Sequence, residues 1–316
     1  MFWDTFKNFK IDLVSPNPTG TFHRGEILSG VIRFELSKKV KIQKISMTVK
    51  GQGKVQWTTY GLFFNSIIRT THRGKMAFFQ LEGPLLRAET DELVLQPGAH
   101  LYPFSFQIPE GDFPSTFRGA HGRISYVLIF GIHRRWRFEK NFSSELKFER
   151  LVNIGGPQYL RPLSLSDSTI VCCCLGEISM DAQLERKGFI PGETIRITAG
   201  VANGTSLRIV PKAELVKRET YRARSYRCVS KTLNCTKGQP VRPHASHVCC
   251  ELSLPIPGDV YTSLENCAIL DIQYVVVVSL RAIGCSKLRL LFPIVIGSAR
   301  VPVPEPYGLP PRLICF

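Results

Sequence analysis

The chain has 316 residues, 44% apolar and 21% charged, an ordinary folded composition that excludes a disordered polyelectrolyte. Its net charge of +16 is spread over both halves, +9 in residues 1–150 (22 Lys and Arg against 13 Asp and Glu) and +7 beyond (19 against 12). A basic tail is therefore excluded, and anionic partners are favoured. At ~100–200 residues per domain the length predicts about two domains.

Residues 1–14 fit two patterns. Phe2, Phe6, Phe9 and Leu13 recur at helical spacing, as in an interfacial helix. Phe9, Ile11 and Leu13 also alternate with Lys10 and Asp12, as in a strand, and the strand-like runs further on favour the second. Asp4, Lys7 and Lys10 interrupt this stretch and no small-residue cleavage site comes after it, so no secretory leader is expected. Ser15-Pro16-Asn17-Pro18-Thr19-Gly20 ends the element, and Phe22-His23-Arg24-Gly25-Glu26 makes a turn. Residues 27–36 are β-rich, and Val40, Ile42, Ile45, Met47 and Val49 continue in near alternation. Residues 52–92 predict two or three strands, with a longer exposed loop over 69–75.

Gln96-Pro97-Gly98 turns into a unit that matters more. Phe104-Ser105-Phe106-Gln107 runs into Ile108-Pro109-Glu110-Gly111-Asp112, then a loop, then the apolar strand 124–130. His133-Arg134-Arg135-Trp136-Arg137 comes next, a basic cluster around one aromatic. Residues 142–152 alternate again. Gly, Pro and Ser then dominate 153–167, the predicted linker.

The second half repeats the habit. Residues 170–175 and 178–184 read as strands, and Phe189-Ile190-Pro191-Gly192-Glu193 echoes the turn at Phe22. Strand 195–201 leads to a tight-turn signal, Asn203-Gly204. Residues 209–226 are long, β-rich and basic, and 231–246 form a polar loop. Leu252-Ser253-Leu254-Pro255-Ile256-Pro257-Gly258-Asp259 then leads to strand 270–278. Ile108 and Ile256, Ile124 and Ile272, and Tyr126 and Tyr274 all share one offset of 148 residues. A spacing this long means two whole domains rather than a solenoid. Strand 290–296 closes the second copy, and residues 299–316 hold five Pro as an extended tail.

All ten Cys lie beyond residue 171, so disulfides do not hold the duplicated fold, and a reducing compartment is expected. Cys172-Cys173-Cys174 and Cys249-Cys250 are adjacent, and neighbours in one strand face opposite ways. A thiol-dependent regulatory binder acting through Cys249 or Cys250 is one functional reading. Cys228, Cys235, His244, His247, Cys249 and Cys250 lack the tight pairs of a zinc site, so no metal is expected. No P-loop, G-x-S-x-G or H-E-x-x-H occurs, and no catalytic residue or cofactor is expected. Arg134, Arg135, Trp136 and Arg137 suit an anionic lipid surface; the plainer reading is a hairpin tip with Trp136 packed beneath it. No RNA-binding signature accompanies them, so nucleic acid is not expected.

Several stretches together resemble one family. They are Arg186-Lys187-Gly188-Phe189 with Gly192-Glu193, Val210-Pro211-Lys212-Ala213, and Phe292-Pro293-Ile294-Val295-Ile296-Gly297-Ser298. Ile108-Pro109 with Ser115-Thr116-Phe117-Arg118-Gly119 and Gly122 after it completes the set. The chain resembles the arrestins over nearly its whole length, and among them the α-arrestins. That resemblance implies an all-β fold: two tandem antiparallel β-sandwich domains joined by a short hinge. The boundaries expected are 1–152 for the first sandwich, 153–167 for the linker, 168–298 for the second sandwich and 299–316 for the tail. It implies a non-enzymatic cytoplasmic adaptor, peripheral to plasma membrane or endosomes. Such an adaptor binds cytoplasmic regions of integral membrane proteins or their complexes and directs trafficking, anchoring or ubiquitin-linked endocytosis. In receptor-binding arrestins, basic residues comparable to Lys7 and Lys10 contact phosphate. Family members recruit HECT-type ubiquitin ligases through Pro-Pro-x-Tyr motifs. This tail departs from the motif, with Pro304-Glu305-Pro306-Tyr307 and Pro310-Pro311-Arg312-Leu313, so ligase recruitment is not carried over.

Overall fold

The computed structural model describes residues 5–14, 17–64, 66–87, 93–136, 139–171, 176–281 and 288–301. The expected helix-or-strand ambiguity at the start resolves as strand. In chain order the elements are β1 (Phe6–Leu13), β2 (Thr21–Phe22), β3 (Ile27–Leu36), β4 (Val40–Ile42), β5 (Lys44–Phe63), β6 (Ser66–Arg87), β7 (Leu93–Leu95), β8 (Gly98–Gln107), β9 (Phe117–Arg118), β10 (Gly122–His133) and β11 (Lys140–Phe148). A single-turn helix α1 (Pro157–Leu160) precedes β12 (Leu163–Val171), β13 (Gly176–Leu184), β14 (Gly188–Phe189), β15 (Thr194–Asn203), β16 (Val210–Arg222), β17 (Tyr226–Lys237), β18 (Ala245–Pro255), β19 (Leu270–Arg281) and β20 (Leu288–Ile296). No helix among the described residues is long and apolar enough to cross a membrane.

Two compact units result. One gathers residues 1–150, 219–228 and 264–271; the other gathers 151–218, 229–263 and 272–316. The first holds a sheet ordered β1-β3-β8, a larger one ordered β2-β11-β10-β5-β6 with β9 on β10, and the small pair β4-β7. Along β10 the side chains of Ile124, Tyr126, Leu128 and Phe130 are buried, every second residue, as a half-covered antiparallel strand requires. The other sheets are ordered β12-β13-β15-β18 and β14-β20-β19-β16-β17. There Ile272, Tyr274, Val276 and Val278 repeat the same alternation. The architecture is tandem and all-β.

The sequence echo marks a corner built twice. Gly25 N–H donates to the Ile108 carbonyl at 3.1 Å, and Ile108 N–H donates to the Glu26 carbonyl at 2.9 Å. Gly192 and Ile256 do the same, at 3.2 Å and, back to Glu193, at 2.8 Å. Both glycines have positive φ, +73° and +89°, which a side chain would strain. A carboxylate caps each turn: His23 N–H reaches Glu26 at 2.8 Å, and Ile190 N–H reaches Glu193 at 2.9 Å. The matched tyrosines each donate a hydroxyl hydrogen bond to a carbonyl, Tyr126 to Pro114 at 2.6 Å and Tyr274 to Tyr261 at 2.7 Å. Two-residue parallel pairings, β2 on β11 and β14 on β20, complete the likeness.

Three details differ from the expected layout. The loop expected over 69–75 is strand, because β5 and β6 pair in one continuous hairpin from Lys44↔Arg87 to Phe63↔Ser66. Facing threonines, Thr58↔Thr71 and Thr59↔Thr70, suit such pairing. The polar loop expected over 231–246 is shorter, since β17 runs to Lys237 and β18 starts at Ala245. Strand β12 begins at Leu163, inside the stretch read as linker.

Candidate functional site

The outer part of the β5–β6 hairpin runs past the strands that flank its base. From Lys44 to Val55, β5 is flanked by β10. Gln56 N–H still donates to the His121 carbonyl at 2.7 Å; beyond it the strand pairing among the described residues is with β6, through Trp57↔His72 to Phe63↔Ser66. Seven residues at ~3.4 Å each make a free arm about 24 Å long. Trp57, buried and stacked on His72 with ring centroids 5.2 Å apart, is its last packed rung. Every described side chain from Thr59 to Thr71 is exposed. These include large apolar residues: Leu62 is 81% exposed, Phe64 89% and Ile67 74%. An isolated two-stranded ribbon is marginal in water, and a clustered apolar tip marks an interaction surface.

Charge reinforces the point. Between Glu35 and Glu82 there is no acidic residue, while nine Lys and Arg occur. Sequence reasoning missed this arm. Tyr60, Leu62, Ile67 and Ile68 read as ordinary strand residues, and exposure is invisible in a sequence. The acid-free run was the available signal.

The predicted basic residues lie elsewhere in the same unit. Lys7 and Lys10 are exposed on β1, on either side of a bulge where Asn8 takes φ +52° and donates to Glu35 at 2.9 Å. Lys10 sits 3.6 Å from Asp12, which also accepts from Arg33. The Arg33 hydrogen bond holds the Asp12 carboxyl below its ordinary range. Arg134, Arg135 and Trp136 form the β10–β11 turn. Trp136 has φ +57° and is 91% exposed, with the Arg135 guanidinium 6.0 Å from its ring centre. The reading with Trp136 packed beneath the tip is therefore wrong: the backbone turns the indole outward. Arg137 lies outside the described residues.

These two groups come near one another. Lys140, at the start of β11, lies 5.1 Å from the Phe6 ring and 5.0 Å from Phe142. Burial lowers the Lys140 pKa, and the field of Arg134 lowers it further. Phe9 of β1 stacks on Phe142 at 3.8 Å, fixing β1 beside the turn.

Cys249 and Cys250 on β18 face opposite ways, the first exposed and the second buried. Burial pushes the Cys250 thiol up, and of the two Cys249 is the one a partner can reach. Cys172, Cys173 and Cys174, and the tail residues Pro304, Pro306, Tyr307, Pro310 and Pro311, lie outside the described residues. Among the described residues no group of three His, Cys, Asp or Glu is placed to hold a metal ion.

Residues 8–154 match the family model of the arrestin (or S-antigen) N-terminal domain, and residues 175–301 match that of the C-terminal domain. The chain is 27% identical to human arrestin domain-containing protein 4 over 287 residues, 88% of this chain and 68% of that protein. It is 25% identical to rat thioredoxin-interacting protein over 309 residues, 93% of this chain and 75% of that one.

Proposed function

Because the chain belongs to the arrestin family, in its α-arrestin branch, we propose that it is a non-enzymatic adaptor for the cytoplasmic regions of integral membrane proteins. It works at the cytoplasmic face of the plasma membrane or endosomes and directs the trafficking, anchoring or ubiquitin-linked endocytosis of its cargo. One observation supports this most: the free arm of β5 and β6, open on both faces and apolar at its end. A ribbon whose described outer side chains meet water is suited to burial against another protein, where its backbone edges and its Leu62, Phe64 and Ile67 side chains find cover. Lys7, Lys10, Arg134, Arg135 and Trp136 add a second surface, suited to phosphate groups or anionic lipid, with affinity that falls as salt rises.

The test replaces residues 58–71 by an Asn-Gly turn, which closes the hairpin at Trp57↔His72 with a two-residue connection. Proximity labelling in living cells with the intact chain is expected to mark integral membrane proteins. The shortened chain is expected to lose most of them while keeping its melting temperature. Unchanged labelling by a folded, shortened chain would remove the arm from the account. Labelling confined to soluble proteins would remove the adaptor role itself.

A second reading draws on Cys249. Its thiolate would attack a partner disulfide and displace one partner sulfur as thiolate, leaving a mixed disulfide. The exposure of Cys249 and the similarity to a thioredoxin-interacting protein support it. Cys249→Ser should then abolish a partner captured under non-reducing conditions, and persistence of that capture would end this reading.

A further inference from the structure

The turn between β16 and β17 falls in residues 219–228 of the first unit. Ala223, Arg224 and Ser225 join the two strands, with Arg222 ending one and Tyr226 and Arg227 opening the other. No Asp or Glu occurs between Glu219 and Glu251. Arg224 and Arg227 are exposed and hold no ion pair among the described residues. Arg222 is paired, 3.6 Å from the Asp271 carboxylate, whose side chain is 8% exposed. The Ser225 carbonyl accepts the Ala223 N–H at 2.8 Å, but its hydroxyl is exposed and holds no hydrogen bond among the described residues. An arginine three residues ahead of a Ser or Thr occurs at four places, before Thr90, Ser164, Ser225 and Ser230. Of these, Ser225 alone has a second arginine directly before it. Thr90 lies outside the described residues, and Ser164 and Ser230 sit inside β12 and β17 with their backbones committed to strands. Ser225 lies in a turn.

A kinase selects its substrate by charge pattern, and one that prefers arginine offers carboxylates to the residues upstream of the acceptor. We propose that Ser225 is a phosphorylation site for an ATP-dependent, arginine-directed Ser/Thr kinase, and that Arg222, Arg224 and Arg227 then clamp the attached phosphate. Arg222 and Arg224, three residues and one residue upstream, give the kinase two forked cations to grip. Strand β17 buries none of its side chains, so opening the tip into an extended form costs little. In the transfer the Ser225 Oγ attacks the γ-phosphorus of ATP. An Oγ–P bond forms, the bond from that phosphorus to the β–γ bridging oxygen breaks, ADP leaves, and the hydroxyl proton passes to the kinase's catalytic carboxylate. The product brings about −1.5 to −2 charge to a tip of three guanidiniums. Arg222 then faces two anions, the phosphate and Asp271. Burial raises the Asp271 pKa while the field of Arg222 lowers it, so drawing Arg222 away leaves that carboxyl readier to take a proton. The proposal stands apart from the adaptor reading, which uses none of these residues.

The full folded chain, incubated with Mg-ATP and the catalytic subunit of cyclic-AMP-dependent protein kinase, is expected to take up phosphate that mass spectrometry maps chiefly to Ser225. Ser225→Ala should lose most of that uptake. Arg222→Gln with Arg224→Gln should slow the initial rate by at least about tenfold. Arg224→Gln alone, which leaves the Arg222–Asp271 pair in place, should slow it by less. Circular dichroism and a thermal melt of each variant separate a poorer substrate from a lost fold. Phosphorus NMR titration of the product should place the second ionisation of the phosphoserine below its ordinary value of about 6, because nearby guanidiniums favour the dianion. Chain purified from cells treated with a phosphatase inhibitor should carry phosphate at Ser225. Uptake at Ser225 only after unfolding in urea, a wild-type rate in folded Arg224→Gln, phosphate spread evenly over Ser164, Ser225 and Ser230, an unshifted ionisation, or an unmodified Ser225 in those cells would each overturn the proposal.

Discussion

The hairpins β5–β6 and β16–β17 hold the same place in two sheets of matching order, β2-β11-β10-β5-β6 and β14-β20-β19-β16-β17. Their lengths differ: 20 and 22 residues in the first copy, 13 and 12 in the second. Strand β16 buries alternate residues almost to its end at Tyr221 and Arg222, so packing accounts for its length. Packing accounts for β5 only as far as Trp57. Among the described residues the remainder of that strand pairs with β6, and its described outer side chains meet water. The contrast teaches that a core selects a strand only to the depth it covers. Beyond that depth, the Tyr60, Leu62 and Ile67 side chains answer to something outside the unit.

The largest expected effect tests whether the two copies really share one corner. Tyr126→Ala and Tyr274→Ala should each cost about 3–5 kcal/mol, by cavity and lost hydroxyl bond together. Their denaturant midpoints should fall by similar amounts, and a cost confined to one copy would break the equivalence. A smaller effect separates the copies. Glu26 caps its turn beside His23, whereas Glu193 gathers Arg186 at 3.2 Å and Arg300 at 3.0 Å. Glu193→Gln should cost roughly 1–3 kcal/mol, below the full figure for a buried pair because the network is partly wet. Glu26→Gln should cost less than about 1 kcal/mol.

The pH dependence stems from the same carboxylate. Burial alone would raise the Glu193 pKa, but the Ile190 N–H and the Arg186 and Arg300 guanidiniums outweigh it and bring it below the ordinary 4.5. A depressed carboxylate contributes its stability fully above the unfolded value and loses it as pH falls through the folded one. Melting temperatures of wild type and Glu193→Gln should therefore differ at pH 6, with the gap narrowing as pH falls below the ordinary 4.5 and through the lowered value. A constant gap down to acid would exclude the linkage. The smallest effect is reserved for the arm. Leu62→Ser with Ile67→Ser should leave stability within about 0.5 kcal/mol, as for ordinary surface changes. A clear loss would mean that the tip is packed after all.

Legibility tracked the physics of burial. The strands over 124–130 and 272–278 announced themselves because a half-covered sheet imposes alternation. The corner was readable because Gly25 and Gly192 recur before Ile108-Pro109 and Ile256-Pro257, and few residues other than glycine accept their backbone angles. Cys249 and Cys250 fell on opposite faces as strand neighbours must. The arm was not readable, because an apolar residue in a strand looks the same whether a second sheet or water lies over it. The outward turn of Trp136 was hidden for a related reason: positive φ at a non-glycine residue leaves no signature in composition.

The unaided pairing beyond Val55 also sets a gradient in amide protection. Backbone N–H groups of β5 near Lys54 lie between β6 and β10, whereas those toward Phe63 and Ser66 are sealed only by each other and should trade their protons for deuterium within moments. Anything that grips the arm would slow that exchange from the outermost rung inward. The hairpin thus carries its own gauge of occupancy, readable without a label and without knowing beforehand what has taken hold.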